Sequence, residues 1–342
     1  MEDRADTSLK QYLIDEFVED YQEGRLTRRD ALKRIAAVTM SLTLANSILA
    51  ACAPAQHAPT SAPTATVVRA TQAASQPAPT SASAATSAPT SPPRASTPSA
   101  TDSGSLNVSA DDPSIQAVSI QFPSQAATIM AYLARPKGND AAPAVLVCHE
   151  NRGLTDHIRD VTRRLAKAGY VGLAVDLLSR QGGTDKVDAA QVPGILGNTP
   201  PQQFVQDFQA GLDYLKTQSF VTKDRYGMVG FCFGGGVTLR CATQIPELRA
   251  AVPYYGPNPP LEDVPKIQAA VLGIYGALDS RIDAGVPAIE QAMQQNNKTF
   301  EKMIYPNANH AFNNDTGGSY NPTAARDAWS KTLAWFEQYL KA

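Results

Sequence analysis

Reactive side chains are scarce in this chain: 342 residues carry only four cysteines and four histidines. Basic charge is not in excess either, since 30 Lys and Arg stand against 32 Asp and Glu for a formal net charge of −2. A nucleic-acid partner therefore has no electrostatic footprint here, and none is expected. No apolar run reaches the ~20 residues that a membrane-spanning helix needs. Cys52 stands at an apparent processing site, leaving Cys148, Cys232 and Cys241, an odd number that no closed disulfide set can use. Free thiols are predicted. Composition assigns about a third of the chain to non-globular sequence, which leaves one folded domain as the simplest count.

The first 51 residues read as an export signal. Thr27, Arg28, Arg29, Asp30, Ala31, Leu32 and Lys33 precede a moderately apolar run over 35–50, too short and too polar to span a bilayer. The paired arginines resemble a twin-arginine signal, with Ala31 where a bulky apolar residue is usual. Leu49, Ala50, Ala51 and Cys52 look like a lipobox ending at a lipidated Cys52. The competing reading is an internal amphipathic helix with an incidental cysteine. Residues 53–105 are almost wholly Ala, Pro, Ser and Thr, with Arg69 and Arg94 the only charges before Asp102. Such sequence cannot build a core, and 52–105 is predicted to be an extended, disordered tether. No solenoid or propeller repeat follows it.

From residue 106 to 342 the chain alternates strand-like and helical runs. Apolar strand candidates occur over 129–134, 144–148, 171–176, 226–231, 250–255, 270–275 and 300–305. Helical candidates with apolar residues at three-to-four spacing lie near 156–167, 202–217, 235–243, 286–295 and 323–340. This rhythm predicts an α/β fold with a mostly parallel sheet and helices on both faces. In such sheets the ligand crevice lies beyond the carboxyl ends of the strands.

One strand exit has the form of a nucleophile elbow. Tyr226, Gly227, Met228, Val229 and Gly230 lead into Phe231, Cys232, Phe233, Gly234, Gly235 and Gly236, which places Cys232 at the centre of G-x-C-x-G. The flanking glycines permit a sharp strand-to-helix turn, and a thiolate there would face a helix N-terminus. Among the four histidines, His310 is the best placed base. It follows the last strand candidate by five residues and precedes the final helix. Asp279 exits the strand before it and supplies the acid that would hold the imidazole, in the chain order nucleophile, acid, base. The rival acids Asp263 and Asp283 are less well situated.

Val145, Leu146, Val147 and Cys148 run into His149, Glu150, Asn151, Arg152 and Gly153. With this His-Glu step, the Cys232 elbow, Tyr255-Gly256, Asp279 and His310 in order, the segment 115–340 resembles the dienelactone hydrolase family. The resemblance implies an α/β-hydrolase fold and hydrolysis of an ester or lactone through Cys232, His310 and Asp279. It makes Glu150 the active-site carboxylate near the thiol and the backbone N–H groups of Asn151 and Phe233 the oxyanion hole. It also implies that Tyr255 and Arg180 meet substrate, Arg180 by gripping a carboxylate. The family's second arginine after the histidine is not present, because His310 is followed by Ala311, Phe312, Asn313, Asn314 and Asp315.

Neither cofactor nor metal is expected. His149, Glu150 and His157 form H-E-x6-H, which does not put both imidazoles on one helical turn. His149 reads instead as a packed strand-end residue, and Cys148 and Cys241 as apolar fillers. The predicted protein is an exported monomer held to the membrane through N-terminal lipid only, acting on a small ester or lactone. The rival activities are amidase or peptidase hydrolysis, and ligand binding without catalysis by a tethered surface protein.

Overall fold

The computed structural model describes residues 2–51, with side chains from Leu9 onward, and residues 106–342. The tether predicted over 52–105 and the lipidation site Cys52 lie outside the described residues.

Three helices come first: α1 (Glu2–Gln22), α2 (Arg28–Thr39) and α3 (Leu42–Ala51). The alternating part then runs β1 (Ile115–Ser124), β2 (Ala127–Pro136), β3 (Ala142–Cys148), α4 (Asp156–Lys167) and β4 (Val171–Val175). It continues with α5 (Val192–Asn198), α6 (Pro201–Lys216), β5 (Val221–Phe231), α7 (Phe233–Ala242) and β6 (Leu248–Tyr254). It ends with β7 (Ala270–Gly276), α8 (Ser280–Asp283), α9 (Val286–Gln295), β8 (Phe300–Tyr305) and α10 (Pro322–Phe336). The eight strands form one sheet in the order β1-β2-β4-β3-β5-β6-β7-β8, antiparallel at β1-β2 and β2-β4 and parallel elsewhere. This is the α/β-hydrolase architecture expected from the sequence.

Central strands covered on both faces must be apolar throughout, and β4 and β7 are buried at every position. All seven predicted strands are present. β1 adds an eighth at the sheet edge, where only Ile115, Phe122 and Ser124 are buried, so its apolar residues give no clean alternation to read.

Register decides what meets at the carboxyl end. Cys148 pairs with Gly230, which sets His149 and Glu150 beside Phe231 and Cys232. Phe231 pairs with Tyr254, so Tyr255 follows on the other side of the elbow. Gly276 pairs with Tyr305, and the loops beyond these two carry Asp279 and His310. Five strand exits thereby converge.

The N-terminal helices join the same folded body as residues 106–342. On α1, Leu9, Tyr12, Leu13 and Phe17 recur at helical spacing and are all buried; Ile35 and Val38 on α2 and Leu49 on α3 are fully so. Burying such a side chain contributes about 2 kcal/mol before the entropy of ordering is subtracted. The apolar run over 35–50 is broken at Met40, whose φ of 56° caps α2 in a left-handed conformation. No helix among the described residues is long and apolar enough to cross a membrane.

Candidate active site

The elbow is strained and tightly enclosed. Cys232 has φ 58° and ψ −123°, a backbone conformation that costs a non-glycine residue about 1–3 kcal/mol and persists only where neighbours enforce it. Its N–H donates to the Tyr254 carbonyl at 3.0 Å. A Cβ at Gly230 would lie 2.2 Å from the Gly234 carbonyl, and one at Gly234 would lie 2.4 Å from the His149 carbonyl. Glycine at both positions therefore lets α7 start against the exit of β3. The thiol is buried at the N-terminal end of α7, with 3% of the residue exposed.

His310 reaches the same point from the β8 exit. Its Nδ1 lies 2.5 Å from Asp279 Oδ2, and Asp279 Oδ1 accepts the Ile282 N–H at 3.3 Å. Burial opposes charge on the imidazole, but the Asp279 carboxylate prevails and holds His310 well above the ordinary histidine value. Burial likewise pushes Asp279 up, and the facing imidazole outweighs it, so Asp279 sits below the usual carboxylate value. The Cys232 thiol is pushed up by burial and then by the Glu16 carboxylate, against a lowering pull from His310.

Glu150 lies beside the thiol pocket. Its Oε2 accepts from Asn314 Nδ2 at 2.7 Å, while its buried Oε1 has no hydrogen-bond partner. Phe233 is the first residue of α7, where a backbone N–H has no intrahelical acceptor, and Asn151 follows on the β3 exit that α7 abuts. Tyr255 is fully buried with its ring centroid 5.0 Å from that of His310. It packs against the base rather than lining the open cavity.

Two contributors come from the predicted export signal. The Tyr12 hydroxyl stands 3.2 Å from Cys232 Sγ and 3.3 Å from His310 Nε2. The Glu16 carboxylate lies 3.5 and 3.7 Å from Sγ and accepts from Asn151 Nδ2 at 3.0 Å. One ligand atom each of Glu16, Cys232 and His310 falls within 4.8 Å of the others. A cavity of about 410 Å³ opens onto Cys232 between α1, α2 and the strand exits, lined among others by Glu16, Arg25, Arg34, Glu150, Arg152 and Asn314. The apolar stripe on α1 was the available signal for these residues, but spacing alone does not say what such a stripe covers.

The structure does not bring Arg180 to this cavity. Its guanidinium grips Asp207 through two bonds of 2.6 and 2.9 Å and lines a separate cavity with Gln121 and Gln203. Asp207 is 1% exposed, so a buried carboxylate already neutralises the arginine that was expected to hold substrate. His149 is a packed strand-end residue as read from the sequence: Nδ1 meets the Glu150 carbonyl at 2.6 Å and Nε2 accepts the Leu177 N–H at 3.2 Å. His157 pairs with Asp315 at 2.9 Å. Cys148, Cys232 and Cys241 are free thiols.

Comparison with known proteins gives a consistent picture. A protein of Escherichia coli O157:H7 named "Putative carboxymethylenebutenolidase" is 36% identical over 263 residues, covering 71% of this chain and 94% of the relative. A Bradyrhizobium protein named "Probable 2-oxo-3-(5-oxofuran-2-ylidene)propanoate lactonase" is 34% identical over 223 residues, covering 62% and 90%. The crystal structure of the "Putative Dienelactone Hydrolase" of Klebsiella pneumoniae subsp. pneumoniae superposes with a TM-score of 0.62 at 36% identity, covering 66% of this chain and 99% of that one. The family model described as "Dienelactone hydrolase family" matches residues 129–340, more than half of the sequence. With the eight-stranded sheet and its convergent strand exits, these matches establish that the chain belongs to the dienelactone hydrolase family.

Proposed function

We propose that the chain hydrolyses a carboxylic ester or lactone through an acyl-cysteine on Cys232, as an exported protein anchored through lipid on Cys52. The observation that carries the catalytic reading is the 2.5 Å contact of His310 Nδ1 with buried Asp279, which leaves Nε2 as the ring nitrogen turned toward the thiol. His310 takes the thiol proton and the thiolate attacks the carbonyl carbon. The backbone N–H groups of Asn151 and Phe233 hold the oxyanion as it forms. Collapse of the tetrahedral intermediate breaks the C–O bond, and His310 returns the proton to the leaving alkoxide. Water, deprotonated by His310, then attacks the thioester and releases the acid with a free thiol. Glu150 faces the pocket with one unpartnered oxygen, available to the incoming nucleophile or substrate.

The relatives' names point to lactones with an enol-type leaving group, which a thiolate displaces more readily than an amine. Turnover of a panel containing aryl esters, a dienelactone, simple lactones and anilides tests the reaction class. Faster cleavage of anilides than of aryl esters would move the assignment to an amidase. Absence of turnover on the whole panel would favour a tethered binding protein.

The anchoring reading rests on the Arg28-Arg29 pair, the apolar run over 35–50 and Leu49-Ala50-Ala51-Cys52. Cells grown with radiolabelled palmitate are expected to label the wild-type protein and not Cys52→Ala. Equal labelling, or none in either, rejects lipidation at this residue.

A further inference from the structure

The contacts that α1 makes with the thiol oppose its ionisation, while Glu16 Oε1, 3.9 Å from His310 Nε2, favours the protonated base. The Tyr12 hydroxyl, at 3.2 Å from Sγ and 3.3 Å from Nε2, competes with the direct thiol–imidazole contact through which the proton would pass. Burial pushes Glu16 above the usual carboxylate value, against a lowering pull from His310 and Arg281, and in its ionised form it places negative charge 3.5 Å from Sγ, where a thiolate would form. It also accepts the Asn151 side-chain N–H at 3.0 Å, and so stands against the thiol beside a residue proposed for the oxyanion hole. A substrate carbonyl cannot occupy the same space.

The segment is seated by a built interface. Leu13 and Phe17 are fully buried. Leu9 packs where a Cβ on Gly236 of α7 would come within 3.3 Å of it. Lys10 donates to Asn198 at 2.8 Å, and Glu19 pairs at 2.8 Å with Arg281, whose guanidinium lies 4.7 Å above the Tyr12 ring. Arg281 follows Asp279 by two residues, so the seat adjoins the triad. The family model matches residues 129–340, so the segment lies outside the part of the chain that the model describes.

We propose that α1 is an intramolecular inhibitor of the catalytic thiol, with Tyr12 and Glu16 filling the acyl site, and that withdrawal of the N-terminal helices activates the enzyme. What is inhibited rests on the thiol-hydrolase reading above. If residues 1–51 are removed at Cys52, the cover leaves with them, and processing raises the activity of the enzyme.

The groups facing the thiol are Tyr12 and Glu16 from α1, Glu150 from the β3 exit, Tyr255 from the β6 exit and His310 from the β8 exit; Arg281 flanks Tyr12. The test uses the full-length chain. Iodoacetamide labelling of Cys232, followed by peptide mass spectrometry, and kcat/KM for an aryl ester are compared in wild type, Leu13→Asp/Phe17→Asp and Tyr12→Phe/Glu16→Gln. Undocking by the first pair is expected to raise both rates at least tenfold. The second pair keeps the helix seated, removes the negative charge and hydroxyl, and is expected to move half-maximal labelling down by about one pH unit. Labelling and turnover that stay level in both variants overturn the proposal, and a fall in both overturns it and makes Tyr12 and Glu16 contributors to catalysis. Should the first pair fail to fold, the second decides alone. Faster labelling with no ester cleaved by any form sinks the hydrolase reading and leaves the cover standing.

Discussion

Cys232→Ala is expected to lower ester turnover by about 10⁴-fold or more, with folding unchanged. The side chain supplies the atom that bonds to substrate, and alanine offers nothing to replace it; loss of a nucleophile from a comparable triad removes nearly all catalysis beyond what the oxyanion hole and binding provide. Alanine suits the site sterically, since it fits within the cysteine's volume and meets the same strained backbone at φ 58°. The thermal transition of the variant, followed alongside its rate, separates loss of chemistry from loss of fold. Residual activity above about 1% of wild type would show that another group attacks the carbonyl.

Asp279→Asn is the second large effect, expected at about 10⁴-fold in kcat from the behaviour of triads with the same change. The buried carboxylate accepts the Nδ1 proton at 2.5 Å and fixes the tautomer that leaves Nε2 free to act. It also supplies the negative charge that stabilises the imidazolium against burial. An amide of the same shape removes the charge and can present N–H to Nδ1, favouring the wrong tautomer. The sign of the pH effect follows: without the anion, the His310 pKa falls. Structural placement survives, because Asn can still accept from Ile282, so KM should change little. A loss smaller than about tenfold would mean that Asp279 does not orient the base.

The triad was legible because each of its members follows an apolar strand. Cys232, Asp279 and His310 sit just beyond β5, β7 and β8, and a parallel sheet gathers such exits at one edge. Glu150 and Asn151 were placed by resemblance, and the Cys148 to Gly230 register carries them to the same edge. Arg180 was misread because its electrostatics are settled by Asp207, which lies 27 residues further on another element and gives no local sign of the pairing. The N-terminal helices were legible only in part. The arginine pair and the apolar run over 35–50 have an address-like composition, while the stripe Leu9, Tyr12, Leu13 and Phe17 announces a buried face without naming its partner. Contacts separated by 220 and 298 residues, from Tyr12 to Cys232 and His310, arise from the fold and not from any local pattern.

An acyl group trapped on the enzyme tests the central claim most directly. An aryl ester with a slowly hydrolysed acyl group is mixed with the protein, quenched in acid within the first turnover and digested for mass spectrometry. The account predicts a mass gain equal to the acyl group on the peptide containing Cys232, absent from Cys232→Ala. Ester turnover without that adduct, or with the acyl group on a different residue, would contradict it.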